Sequence, residues 1–125
     1  MDIESVKSLF LMFSGEESCD EWSPLITLAV SETDKMLRPD ADRSDVRLGF
    51  LCAAAANRRL QQIKASRERS QATFAGKVLT ETQNSALRYA EKLYSDYIQL
   101  CNDLIEPSAF VFAGFSNSEE AERKC

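Results

Sequence analysis

Apolar side chains recur every three or four residues along most of this chain, which is the period of amphipathic α-helices. The first such set consists of Val6, Leu9, Phe10 and Phe13. Asp2 is a suitable N-terminal cap for this segment, and Gly15 can adopt the left-handed conformation that commonly ends a helix. The pattern therefore predicts a first helix between Asp2 and Gly15.

A second helix is predicted to open at Ser23-Pro24, because serine caps helices and proline is well tolerated in the first turn. Pro39 should end it, since the residue before a proline avoids helical geometry. The apolar residues expected on its inner face are Leu25, Leu28, Ala29 and Met36, with Ile26 and Val30 beside them.

The third predicted helix is capped by Asp42 or Ser44 and runs to about Lys64. Four consecutive alanines, residues 53–56, lie at its centre. Alanine is the best helix former, and its small side chain lets neighbouring helices approach closely. We therefore expect this helix to be central and the most buried. The polar stretch 65–72 is expected to be a loop.

The fourth helix has the most regular pattern and is predicted to run from Thr80 or Thr82 to about Ile105, with Pro107 beyond its end. Its apolar stripe contains Ala86, Ala90, Leu93, Tyr97, Cys101 and Leu104.

Two short segments favour β-structure. The first, about 73–79, alternates in polarity, and the second, about 109–115, is rich in aromatic residues. They could pair with each other, or one could add to a sheet of a neighbouring subunit. The predicted fold is thus mainly α, a small bundle of about four helices with two short β-like segments. Residues 1–115 are expected to form a single domain, and 116–125 a flexible tail.

The net charge of −5 is unevenly distributed. Residues 1–37 carry 2 basic and 8 acidic groups, a net charge of −6. Residues 38–72 carry 8 basic and 4 acidic groups, a net charge of +4. Residues 73–125 carry 5 basic and 8 acidic groups, a net charge of −3. An acidic chain is a poor duplex DNA binder, because such binding depends on neutralising phosphates. The layout predicts complementary faces that meet either within the fold or between identical subunits.

No residue pattern points to catalysis, and we predict a protein that is not an enzyme and needs no metal or cofactor. The chain has no histidine, so the usual base for a nucleophile and the commonest metal ligand are missing. Its four glycines are scattered, and its four cysteines lack metal or redox spacing. An acidic N-terminus and the lack of a long apolar run predict a cytoplasmic protein that does not enter membranes.

The basic run near the end of the third predicted helix is a candidate partner interface, formed by Arg58, Arg59, Lys64, Arg67 and Arg69. These cations could complement the dipole of their own helix, contact an acidic protein or contact nucleic acid. No aromatic residue is interleaved with them, which disfavours single-stranded nucleic acid. The β-like segments add apolar candidates for docking: Phe74, Val78, Phe110, Phe112 and Phe115.

The order of these features resembles the short head–tail connector (adaptor) proteins of long-tailed phages and prophages. The resemblance covers about residues 22–115. It is carried by the acidic N-terminal helix, the helix at 25–37, the alanine-rich segment 48–57, the Phe-Ala-Gly-Lys-Val sequence at 74–78 and the aromatic segment 110–115.

This resemblance implies a structural protein that assembles as a ring beneath the portal and joins it to the tail. The implied partners are other copies of the chain, a portal protein and tail proteins, with DNA at most passing through the channel. The implied location is the bacterial cytoplasm and then the virion. A small cytosolic regulatory or adaptor module that binds another protein is the alternative hypothesis.

Overall fold

The computed structural model describes residues 2–75 and 81–108, and this part of the chain is a bundle of four helices. The helices are α1 (Ile3–Ser14), α2 (Ser23–Met36), α3 (Val46–Ala75) and α4 (Glu81–Leu100), followed by a 3₁₀ turn, Asn102–Leu104. The predicted mainly α architecture is confirmed. Within the described ranges, no helix is both long and apolar enough to cross a bilayer.

Helix α1 has both predicted caps. An Asp2 side-chain oxygen accepts a hydrogen bond from the Glu4 amide at 3.2 Å, which satisfies an amide of the first turn. Gly15 has a φ of 76°, and its amide donates to the Leu11 carbonyl. Val6 and Phe10 are buried against the rest of the bundle.

Helix α2 begins where predicted, but its cap and inner face differ from the prediction. The capping position is Trp22, whose side chain makes no capping hydrogen bond, and Ser23 is already helical. The buried residues are Ile26, Ala29 and Thr33, whereas Leu28 is 42% exposed. Leu25, Val30 and Met36 are partly buried and pack against the core, so the hydrophobic pattern was wrong only for Leu28 and did not include Thr33.

Helix α3 extends well beyond the predicted end near Lys64. The predicted loop at 65–72 is helical, and residues 73–75, the start of the first predicted β-like segment, also belong to α3. Neither glycine nor proline occurs from residue 50 to 75, and Arg, Glu, Gln and Ala are good helix formers, so nothing there breaks the helix. Residues 76–79 and the second β-like segment, 109–115, lie outside the described residues.

The start of α3 also differs from the prediction, because Asp45 caps it in place of Asp42 or Ser44. An Asp45 carboxylate oxygen accepts from the Arg47 amide at 2.9 Å. Asp42 instead accepts from the Ser44 amide at 3.0 Å and from the Ser44 hydroxyl at 2.7 Å, and so shapes the turn before the helix.

Helix α3 is the centre of the bundle, as predicted, and contacts α1, α2 and α4. Successive residues point about 100° apart around a helix, so the four alanines at 53–56 point to every side of α3. All four are buried. Small side chains on every side allow three helices to pack closely around this one.

Helix α4 ends at Leu100, earlier than the predicted Ile105. A guanidinium nitrogen of Arg47 donates to the Leu100 carbonyl at 2.9 Å and satisfies the helix end. The chain then turns, and Ile105 forms an antiparallel bridge with Leu37, with the Glu106 amide donating to the Met36 carbonyl at 2.9 Å. This bridge fixes the end of α4 to the end of α2.

Helices α1 and α4 meet over one side of α3 through three aromatic rings. The Phe13 ring lies 5.9 Å from the Tyr97 ring and 6.4 Å from the Phe50 ring, and Phe50 lies 5.6 Å from Tyr97. Each of the three side chains is only partly buried. We call this junction the α1–α4 seam.

Candidate functional site: the basic face of helix α3

Arg59 is held by the acidic segment of its own chain. Its guanidinium donates to a Glu32 carboxylate oxygen at 2.9 Å, which joins α3 to α2. Both side chains are partly exposed, so the pair contributes on the order of 0–1 kcal/mol to stability. Its main effect is to neutralise two opposite charges at the boundary between the helices.

Lys64 and Arg67 hold the loop that joins α1 to α2. The Lys64 ammonium donates to one carboxylate oxygen of Glu16, and the Trp22 indole donates to the other at 3.2 Å. The Lys64 hydrogen bond is the largest influence that keeps the pKa of Glu16 below its usual value. The Arg67 guanidinium lies 5.8 Å from the centre of the Trp22 ring, within cation–π range.

Arg58 contacts an aromatic ring of α4. Its guanidinium lies 4.2 Å from the centre of the Tyr94 ring, a favourable cation–π distance. The Arg58 Nε atom is buried without a hydrogen-bond acceptor in the described part of the chain. Burial raises the pKa of Tyr94, and the nearby Arg58 charge acts in the opposite direction.

The predicted basic interface is therefore largely engaged inside the monomer. Arg58, Arg59, Lys64 and Arg67 lie in the middle of α3, since the helix continues to Ala75, so they are too far from its end to complement its dipole strongly. Their contacts are with Tyr94, Glu32, Glu16 and Trp22. Basic and acidic segments thus meet within the fold, which is one of the two arrangements that the charge layout allowed.

Two of the remaining predicted interface residues fall within the described helices. Arg69 and Phe74 are positioned within α3. Val78, Phe110, Phe112 and Phe115 lie outside the described residues, so their predicted role in docking stays a prediction.

Arg47 forms a second ionic group at the opposite end of the bundle. Its guanidinium contacts Asp45 and Asp103, each at 2.9 Å, in addition to the Leu100 carbonyl. The hydrogen bonds from Arg47 lower the pKa of Asp45 to about 2 and also lower that of Asp103. Arg47 thus links the start of α3 to the end of α4, a contact between residues 56 positions apart.

A cleft of about 410 Å³ lies among the end of α1, the middle of α3 and the first half of α4. Its floor includes Asn57 and Gln61, two buried residues whose side chains are joined by a hydrogen bond of 3.1 Å. Its walls include Tyr89, which is 74% exposed, and Leu93. The cleft continues the line of the α1–α4 seam.

The sequence analysis missed an apolar surface around the seam. Met12 is 69% exposed, Val46 73% and Leu100 51%, and they accompany partly exposed residues of α1, α3 and α4. We call the whole set the seam patch, formed by Leu9, Met12, Phe13, Val46, Phe50, Tyr97 and Leu100. The spacing of Leu9, Met12 and Phe13 could have shown that α1 has more apolar surface than one buried face needs.

Two of the described cysteines lie in the core of the bundle. Cys52 and Cys101 are buried, and burial raises the pKa of each thiol to about 11, which disfavours the reactive thiolate. Within residues 2–75 and 81–108, no three potential metal-ligating side chains form a group that could hold an ion.

The chain was also compared with protein families, curated proteins and solved structures, and none of these comparisons returned a match.

Proposed function

We propose that this protein is a structural assembly protein that acts as a phage or prophage head–tail connector, joining a portal ring to a tail. The proposal starts from the order of sequence features that resembles those connectors. One structural observation carries it further: a small helical bundle exposes an apolar seam patch, with Val46 73% and Met12 69% exposed. Contiguous exposed apolar surface is typical of protein interaction sites.

The alternative hypothesis is a regulatory or adaptor module that binds an acidic partner through the basic face of α3. It receives less support, because Arg59 and Lys64 already contact acidic residues of their own chain. A partner would have to replace those contacts. The same argument weakens a role for this face in nucleic-acid binding.

The proposal is tested by measuring assembly with a portal ring. The purified protein is mixed with a portal encoded in the same genome, and complexes are followed by sedimentation velocity and negative-stain electron microscopy. We expect a ring of this protein stacked on the portal, around a central channel. A protein that stays monomeric at high concentration and does not bind the portal would contradict the proposal.

A further inference from the structure

We propose that the seam patch of one subunit receives the outer face of α2 from the next copy of the chain. This inference rests on the proposed function, because it specifies how identical subunits would meet. The α2 outer face consists of Thr27, Leu28, Ser31 and Lys35, which are all exposed. The contact is head to tail, with two different surfaces of the same protein.

The two surfaces lie on opposite sides of the central helix. Phe50 on α3 contacts the ring of Tyr97 at the seam, while Arg59 on α3 contacts Glu32 of α2. Arg59 follows Phe50 by nine positions, which is about two and a half helical turns, so these side chains point in opposite directions. When the two contact surfaces lie on opposite sides of a subunit, each subunit is rotated only slightly relative to its neighbour. A ring of many members requires such a small rotation, and this contact does not close a dimer.

Each surface has apolar side chains that the monomer leaves uncovered. Leu28 projects from α2 with 42% of its surface exposed, whereas Ile26 and Ala29 of the same helix are buried against α3. The seam patch offers Met12 and Val46 to such a side chain. Burying these side chains together removes apolar surface from water, which favours association.

The charges beside the two surfaces are complementary. Lys35 is exposed on α2 and has no ion-pair partner among the described residues. Beside the seam patch, Glu4 pairs with Lys7 only at 3.7 Å, and Asp96 pairs with Lys92 at 3.3 Å on the surface. Such exposed pairs are weak, so Glu4 and Asp96 remain available to an incoming lysine.

Two seam patches could instead face each other in a symmetric dimer. That arrangement would place the same two ion pairs, Glu4–Lys7 and Asp96–Lys92, on both sides of the contact, with no unpaired charge to satisfy. It would also leave Leu28 and Lys35 exposed. The charges therefore favour the contact between the seam patch and α2.

The test uses one substitution on each surface of the full chain, Met12→Glu and Leu28→Glu. Both sites are well exposed, so circular dichroism should show folded monomers. Val46→Glu is a second seam variant, and Ser66→Glu, at an exposed position of α3 outside both surfaces, is the control. Assembly is measured by sedimentation velocity with and without the portal ring.

We expect the unmodified protein and Ser66→Glu to assemble, and each of the three other variants to associate at least about tenfold more weakly. An equimolar mixture of Met12→Glu and Leu28→Glu should form a dimer and nothing larger. In that dimer the intact α2 face of Met12→Glu binds the intact seam patch of Leu28→Glu. The two substituted surfaces remain at its ends and cannot extend it.

The other outcomes overturn the inference in different ways. If the unmodified protein forms rings and the Met12→Glu and Leu28→Glu variants do too, another surface makes the contact, and the proposed function stands. If Leu28→Glu assembles but Met12→Glu does not, the seam patches bind each other. If the unmodified protein stays monomeric with the portal present, the proposed function fails and this inference fails with it.

Discussion

Replacing Ala54 with leucine tests whether three helices really pack closely around α3. Ala54 is fully buried, and the cleft between α3 and α4 is lined by Asn57 and Gln61 and not by Ala54. Leucine adds three carbon atoms. If there were room for them, their burial would stabilise the protein by about 2 kcal/mol.

Without that room, overpacking forces side chains and backbone to shift and costs about 1–3 kcal/mol. The sign of the change in the free energy of unfolding therefore shows whether there is room for leucine at position 54. For a chain of this length, 1 kcal/mol corresponds to a change in Tm of about 4 °C, so we expect Ala54→Leu to melt about 4–12 °C below the unmodified protein.

The assay is thermal unfolding followed by circular dichroism, with urea unfolding as a second measure of the free energy of unfolding. Val46→Leu is the matched control, because it places leucine on the same helix at a position that is 73% exposed. It should change Tm by no more than about 2 °C. An Ala54→Leu protein that melts at or above the temperature of the unmodified protein would refute the close packing around α3.

Three further predictions follow from the polar contacts and the thiols. Arg47→Met should lower the free energy of unfolding measured in urea, because it removes charge-assisted hydrogen bonds that join α3 to the end of α4, and Arg47→Lys should restore only part of this loss. The folded-state pKa of Glu16 is below its usual value of 4.5, so its contribution to stability is full above that pH and disappears as the pH falls through the folded-state pKa. Fluorescence of Trp22, whose indole donates to Glu16, should report this transition, and a Glu16→Gln protein with the same acid transition would contradict the assignment. In the native protein at pH 8, Cys19 should react with iodoacetamide well before Cys52, which is buried and has a pKa of about 11, and peptide mass spectrometry showing equal rates would contradict this.

The sequence alone was sufficient for features that depend on short-range rules. Asp2 and Gly15 cap α1 as predicted, because each acts through its own neighbours in the chain. The central position of α3 was predictable from four alanines in a row. Small side chains on every side are an advantage only in a helix that other helices surround.

A polar composition was a poor guide to the position of a loop. Residues 65–72 are charged and polar, yet they are helical because they contain no glycine or proline and consist mostly of good helix formers. Alternating polarity predicted a β-like segment at 73–79, but its first three residues belong to α3. A helix with one side exposed to solvent can contain many charged and polar residues.

The partners of the basic residues could not be predicted, because they lie far away in sequence. Arg59 and Glu32 are 27 positions apart, and Lys64 and Glu16 are 48 apart. Charge counting shows that opposite signs are available but not which side chains meet. The seam patch was missed for the same reason, since it combines residues from three helices.

The central claim is that the basic segment of α3 closes the monomer while the seam patch and α2 make contacts between subunits. Hydrogen–deuterium exchange of the unmodified protein, compared between the dilute monomer and the portal-bound assembly, tests it directly. We predict slower exchange upon assembly in peptides from α1 and α2, and unchanged exchange in a peptide covering residues 58–67. Slower exchange confined to residues 58–67 would contradict the claim.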